Sequence, residues 1–359
     1  MDTVRGHMRP VLERVLDRLN RGEPPPSVTL PESKSQFPKL LYLDMWVWVE
    51  LSKVHYNRSQ DRAAAVALAS LRDALRSKRA VAPIATTNLD EATKHTDEER
   101  RKRLAEFMVD LCGNFSCLAH AVTRDHQIDC AVEKHMTVPT LPSIRPYLVH
   151  WGLDAAGLGR PPRLPPMDPQ YEQWIRQALV EPEQSKVQLI YALDQSYHQS
   201  HEAREAELVK LNEKARASDG HLSPLERMAG AFRYFLSGPN TYTNRIVYAL
   251  AKRGLSQRTY DDFISDENRL MRFAEDLHQL YIWTRIHYER DRSPDARSEV
   301  NDARDGTFLG QAIAYGNVVV TEKQWAHLAN QTKIAERYGT KVIGRLSEIP
   351  TALKQEDCI

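Results

Sequence analysis

Five acidic residues stand close to short apolar stretches of the sequence. Asp44 follows the stretch LLYL directly, Glu91 comes shortly after RAVAPIA, and Glu322 closes NVVVTE. Asp302 and Asp305 precede the last of these stretches and, being three residues apart, share one face of a helix. Carboxylate oxygens are the ligands that hard divalent cations such as Mg²⁺ and Mn²⁺ prefer. If these acids meet in the fold, the sequence predicts a metal site made of carboxylates.

The electrostatic cost of gathering carboxylates favours a bound cation. Two carboxylates ~5 Å apart repel each other by about 3 kcal/mol at an effective dielectric constant near ~20, so four together cost well over ~10 kcal/mol. Protonation relieves part of this repulsion, and a divalent cation relieves more of it. Cations held in this way activate water and stabilise the charge on a phosphate during its transfer.

The acids can meet only if the strands before them end at a common edge. In the first half of the chain the patterns predict a strand at 40–43, a helix at about 60–77, a strand at 79–85, and a helix that is capped by Thr87 or Asn88 and ends at Gly113. In the last part they predict a helix at 301–315, a strand in NVVVT, a helix in EKQWAHLANQTKIAERYG and a strand in TKVIG. This alternation is typical of an α/β fold with a central parallel sheet. The carboxyl ends of parallel strands line one edge, where ligands bind.

The remaining sequence interrupts this alternation. Residues 137–169 are rich in proline and predict an irregular linker, whereas 170–290 contain long helical patterns without a convincing strand. We therefore predict four regions. They are an N-terminal helical arm with a Pro-rich linker (1–36), the first half of the α/β core (37–128), a large all-helical insertion (129–294) and the second half of the core (295–359).

Composition and missing motifs exclude several classes of protein. The net charge is +1, and no apolar run approaches the ~20 residues that span a bilayer, so we predict a cytoplasmic protein without a membrane partner. The four cysteines form no CxxC pair and are expected to be reduced. There is no GxxxxGK[ST], GxSxG or strand-linked GxGxxG, which argues against an NTPase, a serine hydrolase and a dinucleotide enzyme. His198 and His201 in HQSH, and the thiols of CGNFSCLAH, are weak candidates for zinc.

Three segments of the chain resemble the PIN-like nucleases. They are YLDMWVWVELSK, APIATTNLDEATK and NDARDGTFLGQAIAYGNVVVTEKQW, within residues 38–125 and 295–348. The resemblance implies a three-layer fold with a central parallel sheet. It also implies Mg²⁺ or Mn²⁺ bound by Asp44, Glu91, Asp302 and Glu322, with Asp305 assisting as a further catalytic acid and Thr321 as a hydroxyl neighbour.

The activity implied by the resemblance is phosphodiester hydrolysis, most often of RNA, leaving a 5′-phosphate and a 3′-hydroxyl. The closer resemblance is to larger PIN-like proteins of bacterial toxin or defence systems. The chain departs from the family where Met45 and Trp46 follow the first aspartate, and where the last acid is Glu322 instead of aspartate. A structure-specific DNA nuclease, and a non-cleaving module that binds nucleic acid or protein, stay open as alternatives, as does the number of metal ions.

A nuclease also needs contacts to phosphates. We expect these from Lys53, Arg76, Thr321 and Lys323, although Lys and Arg runs on helices are more often only solvated faces. Asp90 is expected to face solvent. The insertion is expected to act as a lid, as a wall that selects substrate or as an oligomer interface, and a regulatory partner protein and a homo-oligomer are both left open.

Overall fold

The computed structural model describes Arg21 and residues 38–94, 96–136, 148–153, 181–191, 224–237, 241–292 and 302–359. The predicted N-terminal helical arm with its Pro-rich linker (1–36) and the HQSH motif lie outside these residues, apart from Arg21. The strands are β1 (Lys39–Leu43), β2 (Ala80–Val81), β3 (Phe115–Cys117), β4 (Val149–Trp151), β5 (Val318–Val320) and β6 (Lys341–Ile343). The predicted α/β class with a central parallel sheet is confirmed, since β2, β1, β5 and β6 form a four-stranded parallel sheet in that order.

Helices make up most of the described chain. In order they are α1 (Met45–His55), α2 (Arg62–Arg76), α3 (Thr86–Thr93), α4 (Glu98–Cys112), α5 (His120–Met136), α6 (Pro182–Tyr191), α7 (Pro224–Ser237), α8 (Thr241–Ala251), α9 (Gln257–Ser265), α10 (Glu267–Asp276), α11 (His278–Asp291), α12 (Asp302–Tyr315), α13 (Lys323–Gln331), α14 (Ile334–Arg337) and α15 (Ile349–Gln355), with a 3₁₀ turn at Leu346–Glu348. Among the described residues, none of these helices combines the length and apolar character needed to cross a membrane.

The sheet is buried on both faces. Leu40 and Tyr42 of β1 point into one core cluster and Leu41 and Leu43 into the other. All four are at most 1% exposed. Burial on both faces explains why β1 reads as one continuous apolar run and not as an alternating pattern.

The strand order reverses between β1 and β5. From β1 the chain passes outward to β2 on one side, and from β5 it passes outward to β6 on the other. At such a reversal the connections leave in opposite directions, which opens a crevice at the carboxyl ends of the two central strands. Asp44 and Glu322 follow these two strands.

The middle of the chain departs from the prediction in one respect. α6 to α11 confirm the helical patterns wherever this part is described, but β4 lies inside the predicted irregular linker and all-helical insertion. β4 pairs antiparallel with β3, another strand that the sequence patterns do not predict, and Phe115 contacts Trp151 edge to face. A three-residue strand carries too little periodicity to be recognised, because its pairing comes from a remote partner.

Helix boundaries follow local capping. The helix predicted to run to Gly113 is in fact two helices, since Asp97 accepts a hydrogen bond from Arg100 N (3.1 Å) and starts α4. Gly113 ends α4 as predicted, with a left-handed φ of 67°. Neither Thr87 nor Asn88 is the N-cap of α3, because the helix already begins at Thr86. Asn88 has a different role. Its Oδ1 instead accepts from the N–H of Ala85, the residue at the N-cap (3.0 Å).

The small residues of α12 allow α11 to pack closely on it. A Cβ atom at Gly306 would overlap the indole ring of Trp283, and one at Gly310 would lie 2.9 Å from the carbonyl oxygen of Gln279. The last described helix of the insertion therefore lies directly on the helix that carries Asp302 and Asp305.

Candidate active site

Asp44 and Glu322 occupy equivalent positions at the ends of the two central strands. Each is the N-cap of the following helix, with extended backbone (ψ 157° and 150°), and neither side chain accepts a capping hydrogen bond. Because β1 and β5 are adjacent and parallel, both acids lie at the same carboxyl edge, with Asp44 opposite Thr321 and Glu322 one residue further along. The carboxylate of Asp44 faces the backbone N–H groups of Met45 and Trp46, which lower its pKa.

Hydrogen bonds from several directions hold the end of β1 in place. The carbonyl of Leu43 accepts from Trp48 Nε1 (3.1 Å) and from Asn88 Nδ2 (3.2 Å). The backbone N–H of Asp44 donates to the carbonyl of Val320 (3.0 Å), which continues the ladder to β5. The position of Asp44 is thus fixed by the strand next to it and by α3.

Two further acids approach from helices. Glu91 lies on α3 and Asp305 in the first turn of α12, and these helices pack together. Burial raises the pKa of Glu91 most, and the negative charges of Asp44 and Asp305 raise it further. The structure therefore brings acids from both halves of the predicted core into electrostatic contact.

One oxygen of each aspartate is fixed by a neutral donor. Thr321 Oγ1, 1% exposed, donates to Asp44 Oδ2 at 3.0 Å. Trp325 Nε1 donates to Asp305 Oδ2, also at 3.0 Å. Thr321 directly follows β5, and Trp325 lies in the first turn of α13.

The pKa values reflect burial together with mutual repulsion. Burial, and then the charge of Glu322, raise the pKa of Asp44 to about 6 against the hydrogen bond from Thr321. Burial and the charge of Asp44 raise the pKa of Asp305 to about 7, and the pKa of Glu91 reaches about 8. Perturbations of this size in one cluster are typical of functional sites.

Asp302 has a different environment from the other predicted acids. Its Oδ2 contacts Nη1 of Arg290, whose side chain is only 5% exposed and also pairs with Asp291 at 3.1 Å. The charge of Asp302 contributes to the raised pKa of Asp305. Asp302 is therefore held in an ion pair beside the other acids, whereas Asp305 belongs to the group that it forms with Asp44 and Glu91.

Asp90 does not face solvent, and that expectation is wrong. Its Oδ2 lies 2.8 Å from Nε of Arg304, and the two side chains are 13% and 5% exposed. The charge of Arg304 lowers the pKa of Glu91. Arg304 is thus a buried cation next to the acids. In the sequence Arg304 stands between two aspartates, in DARD, and this position was the signal that could have placed it beside the acids.

The predicted phosphate contacts divide into two groups. Thr321 and the exposed Lys323 lie at the carboxyl edge with the acids. Lys53 lies in the last turn of α1, about 12 Å along that helix from its first residue, and its Nζ pairs with Glu50 at 2.6 Å. Arg76 ends α2 just before β2 begins, which places it at the opposite edge of the sheet.

The donor set fits Mg²⁺ or Mn²⁺ chemically, because it consists of carboxylate oxygens whose mutual repulsion a cation would relieve. The side chains do not form a ready coordination shell: among the described residues, no three His, Cys, Asp or Glu side chains are grouped so that they could hold a metal ion. The four cysteines are unpaired, and Cys112 and Cys117 are buried in the core. Coordination by the acids would therefore require side-chain movement.

Stability should fall as pH rises in the absence of divalent cations. The folded-state pKa values of Asp44, Asp305 and Glu91 lie above the ~4 of unfolded chains. The stabilisation that these three protonated groups contribute is complete below about pH 4 and is lost as pH rises through about 8. We expect the urea midpoint in EDTA to decline between about pH 5 and 9, and Glu91→Gln to flatten that decline. Equal slopes for the two proteins would contradict the raised pKa of Glu91.

Comparison of the chain with protein-family models, with curated proteins and with solved structures finds no match. The functional assignment therefore rests on four acids at the carboxyl edge of the sheet. We call these four residues, Asp44, Glu91, Asp305 and Glu322, the acid cluster. The cluster, its neutral donors and the neighbouring buried arginines form the candidate active site.

Proposed function

We propose that the protein is a metal-dependent endonuclease with a PIN-like core that hydrolyses phosphodiester bonds, with RNA as the substrate. The observation that carries the proposal is the convergence of the acid cluster at the point where the strand order reverses. The parallel sheet, buried on both faces, supports the PIN-like relationship. A place in a toxin or defence system, and a regulatory partner, stay predictions of the resemblance.

The surroundings of the acid cluster suit a phosphate once its charge is balanced. α1 and α13 begin at the carboxyl edge, directly after Asp44 and Glu322. Helix N-termini present backbone N–H groups and a positive dipole end, which favour anions. The exposed Lys323 adds a positive charge at the same edge. Without a cation the acids would repel the phosphate, so binding of substrate and binding of metal are expected to be coupled.

The acid cluster would supply the ligands for the cation. Asp44, Glu91, Asp305 and Glu322 would hold one or two Mg²⁺ or Mn²⁺ ions, which supply positive charge to the phosphate and make water more acidic. Oδ2 of Asp305 is engaged by Trp325, which leaves Oδ1 of that residue for a cation. The carboxylate of Asp44 is held by Thr321 and by the backbone N–H groups of Met45 and Trp46. In hydrolysis water adds to phosphorus, the bond from phosphorus to the 3′ oxygen breaks, and that oxygen gains a proton. The proton that water loses passes to a carboxylate of the acid cluster that is ionised at the working pH.

The proposal is tested with purified protein and end-labelled RNA and DNA, incubated with Mn²⁺, with Mg²⁺ and with EDTA. We expect cleavage that needs the cation and that the Asp44→Asn/Asp305→Asn double variant lacks. Asp73→Asn is the matched control, because Asp73 is an exposed acid on α2, outside the acid cluster. Cleavage of DNA alone would select the alternative nuclease. Retention of RNA without any cleavage would select the binding module and overturn the proposal.

A further inference from the structure

Trp325 occupies an unusual position for a core tryptophan. It is 3% exposed and lies in the first turns of α13, just after Glu322. Its only side-chain polar atom, Nε1, donates to Oδ2 of Asp305 on α12 at 3.0 Å. A buried indole usually needs some acceptor. For Trp325 the acceptor is an acid of the cluster, whereas for Trp48 the acceptor is a backbone carbonyl.

The indole ring is held from its other side by the insertion. The guanidinium of Arg290 lies over the ring, 5.5 Å from its centre, and the ring of His287 lies 5.3 Å away, centre to centre. Arg290 also contacts Asp302 at the start of α12. α11 therefore contacts both the indole and the helix that carries its acceptor.

Close packing of α11 makes this arrangement stiff. Trp283 lies against Gly306, the residue after Asp305, and a Cβ atom there would come within 3.1 Å of His287 Nε2. Three side chains of α11 thus fix the start of α12 relative to α13. Small movements of either helix would change the geometry between Trp325 and Asp305.

We propose that Trp325 is a positioning residue. Its N–H fixes Oδ2 of Asp305 so that Oδ1 is left for a divalent cation, and α11 of the insertion holds the indole in place. This inference rests on the proposed function. It gives the insertion a role in the chemistry, because contacts from α11 determine how Asp305 is presented.

The hydrogen bond can be observed without any catalytic assay. In protein labelled with ¹⁵N at the indole nitrogens, the Trp325 signal is identified by its loss in Trp325→Phe. We expect Mg²⁺ to shift this signal in the wild-type protein and not in Asp305→Asn. Loss of a residue that orients a metal ligand typically lowers metal affinity about 10-fold to 100-fold. We therefore expect Trp325→Phe to weaken Mn²⁺ binding about tenfold, measured from the electron paramagnetic resonance signal of free Mn²⁺.

Tyr260→Phe serves as the matched control. It also removes one buried hydrogen bond from an aromatic ring, to the carbonyl of Leu236 (2.9 Å), at a place away from the acids. It should lower stability without changing Mn²⁺ affinity. If Trp325→Phe binds Mn²⁺ as tightly as the wild-type protein, and Mg²⁺ leaves the indole signal unmoved, the positioning role is overturned while the nuclease proposal stands. If the wild-type protein binds neither cation, both are overturned.

Discussion

Asparagine in place of Asp44 will reduce metal-dependent RNA cleavage by about 100-fold or more. Loss of a cation ligand removes several kcal/mol of charge stabilisation from the transition state, and ~1.4 kcal/mol corresponds to a tenfold change in rate. The backbone at Asp44 is held by the hydrogen bond of its N–H to Val320, and the residue before it by two bonds to the Leu43 carbonyl. The measurement is kcat/KM on labelled RNA in Mn²⁺.

The same variant should be more stable than the wild-type protein when no cation is bound. At pH 8 the carboxylate of Asp44 is a buried charge beside Glu322, and removing it relieves both burial and repulsion. Loss of activity with a gain in stability separates a functional acid from a structural one. Lower stability in EDTA at pH 8 would show instead that Asp44 supports the fold. Full residual cleavage would remove it from the active site, and Asp73→Asn controls for the loss of an acid as such.

Alanine in place of Gly306 will destabilise the protein and lower cleavage together. The new methyl group would overlap the indole of Trp283, a large ring packed between helices. Overpacking of this kind costs about 1–3 kcal/mol, which outweighs the gain of up to ~1 kcal/mol that Ala brings to a helix. The displacement also affects Asp305, because it precedes Gly306. Urea unfolding with tryptophan fluorescence gives the first effect, and the RNA assay gives the second.

Gly230→Ala is the matched control for that experiment. Gly230 also lies within a helix, α7, but it is exposed and a Cβ atom there meets nothing within 4 Å. We expect this variant to gain about 0.5–1 kcal/mol from helix propensity and to keep its cleavage activity. Equal stabilisation by both substitutions would mean that α11 can move away from α12 at little cost.

The sequence predicted the parts of the site that depend on regular elements. Buried parallel strands read as apolar runs, so the ends of β1 and β5, and with them Asp44 and Glu322, were located correctly. Strands of one parallel sheet share a carboxyl edge, so the grouping of remote acids followed from the pattern alone. These features need only local composition and a general rule of topology.

The remaining features depend on contacts between remote residues. That Asp302 pairs with Arg290 while Asp305 joins the acids is decided by the packing of α11 on α12. The two aspartates share a helix face, and periodicity cannot separate them. Arg304 and Asp90 are buried because they pair with each other, whereas composition favours exposure of both. Trp325 is a core residue, and its hydrogen bond to Asp305 could not be predicted from the sequence.

The acid cluster is divided between segments that are made at very different times during protein synthesis. Thr321 and its partner Asp44 are separated by 277 residues, and β1 cannot acquire β5 as its neighbour until the insertion has been translated. At roughly 5–20 residues per second, β1 therefore waits for β5 for on the order of tens of seconds. A chain still attached to the ribosome holds only Asp44 and Glu91 for most of that time, so ribosomal and messenger RNA nearby meet an incomplete set of acids.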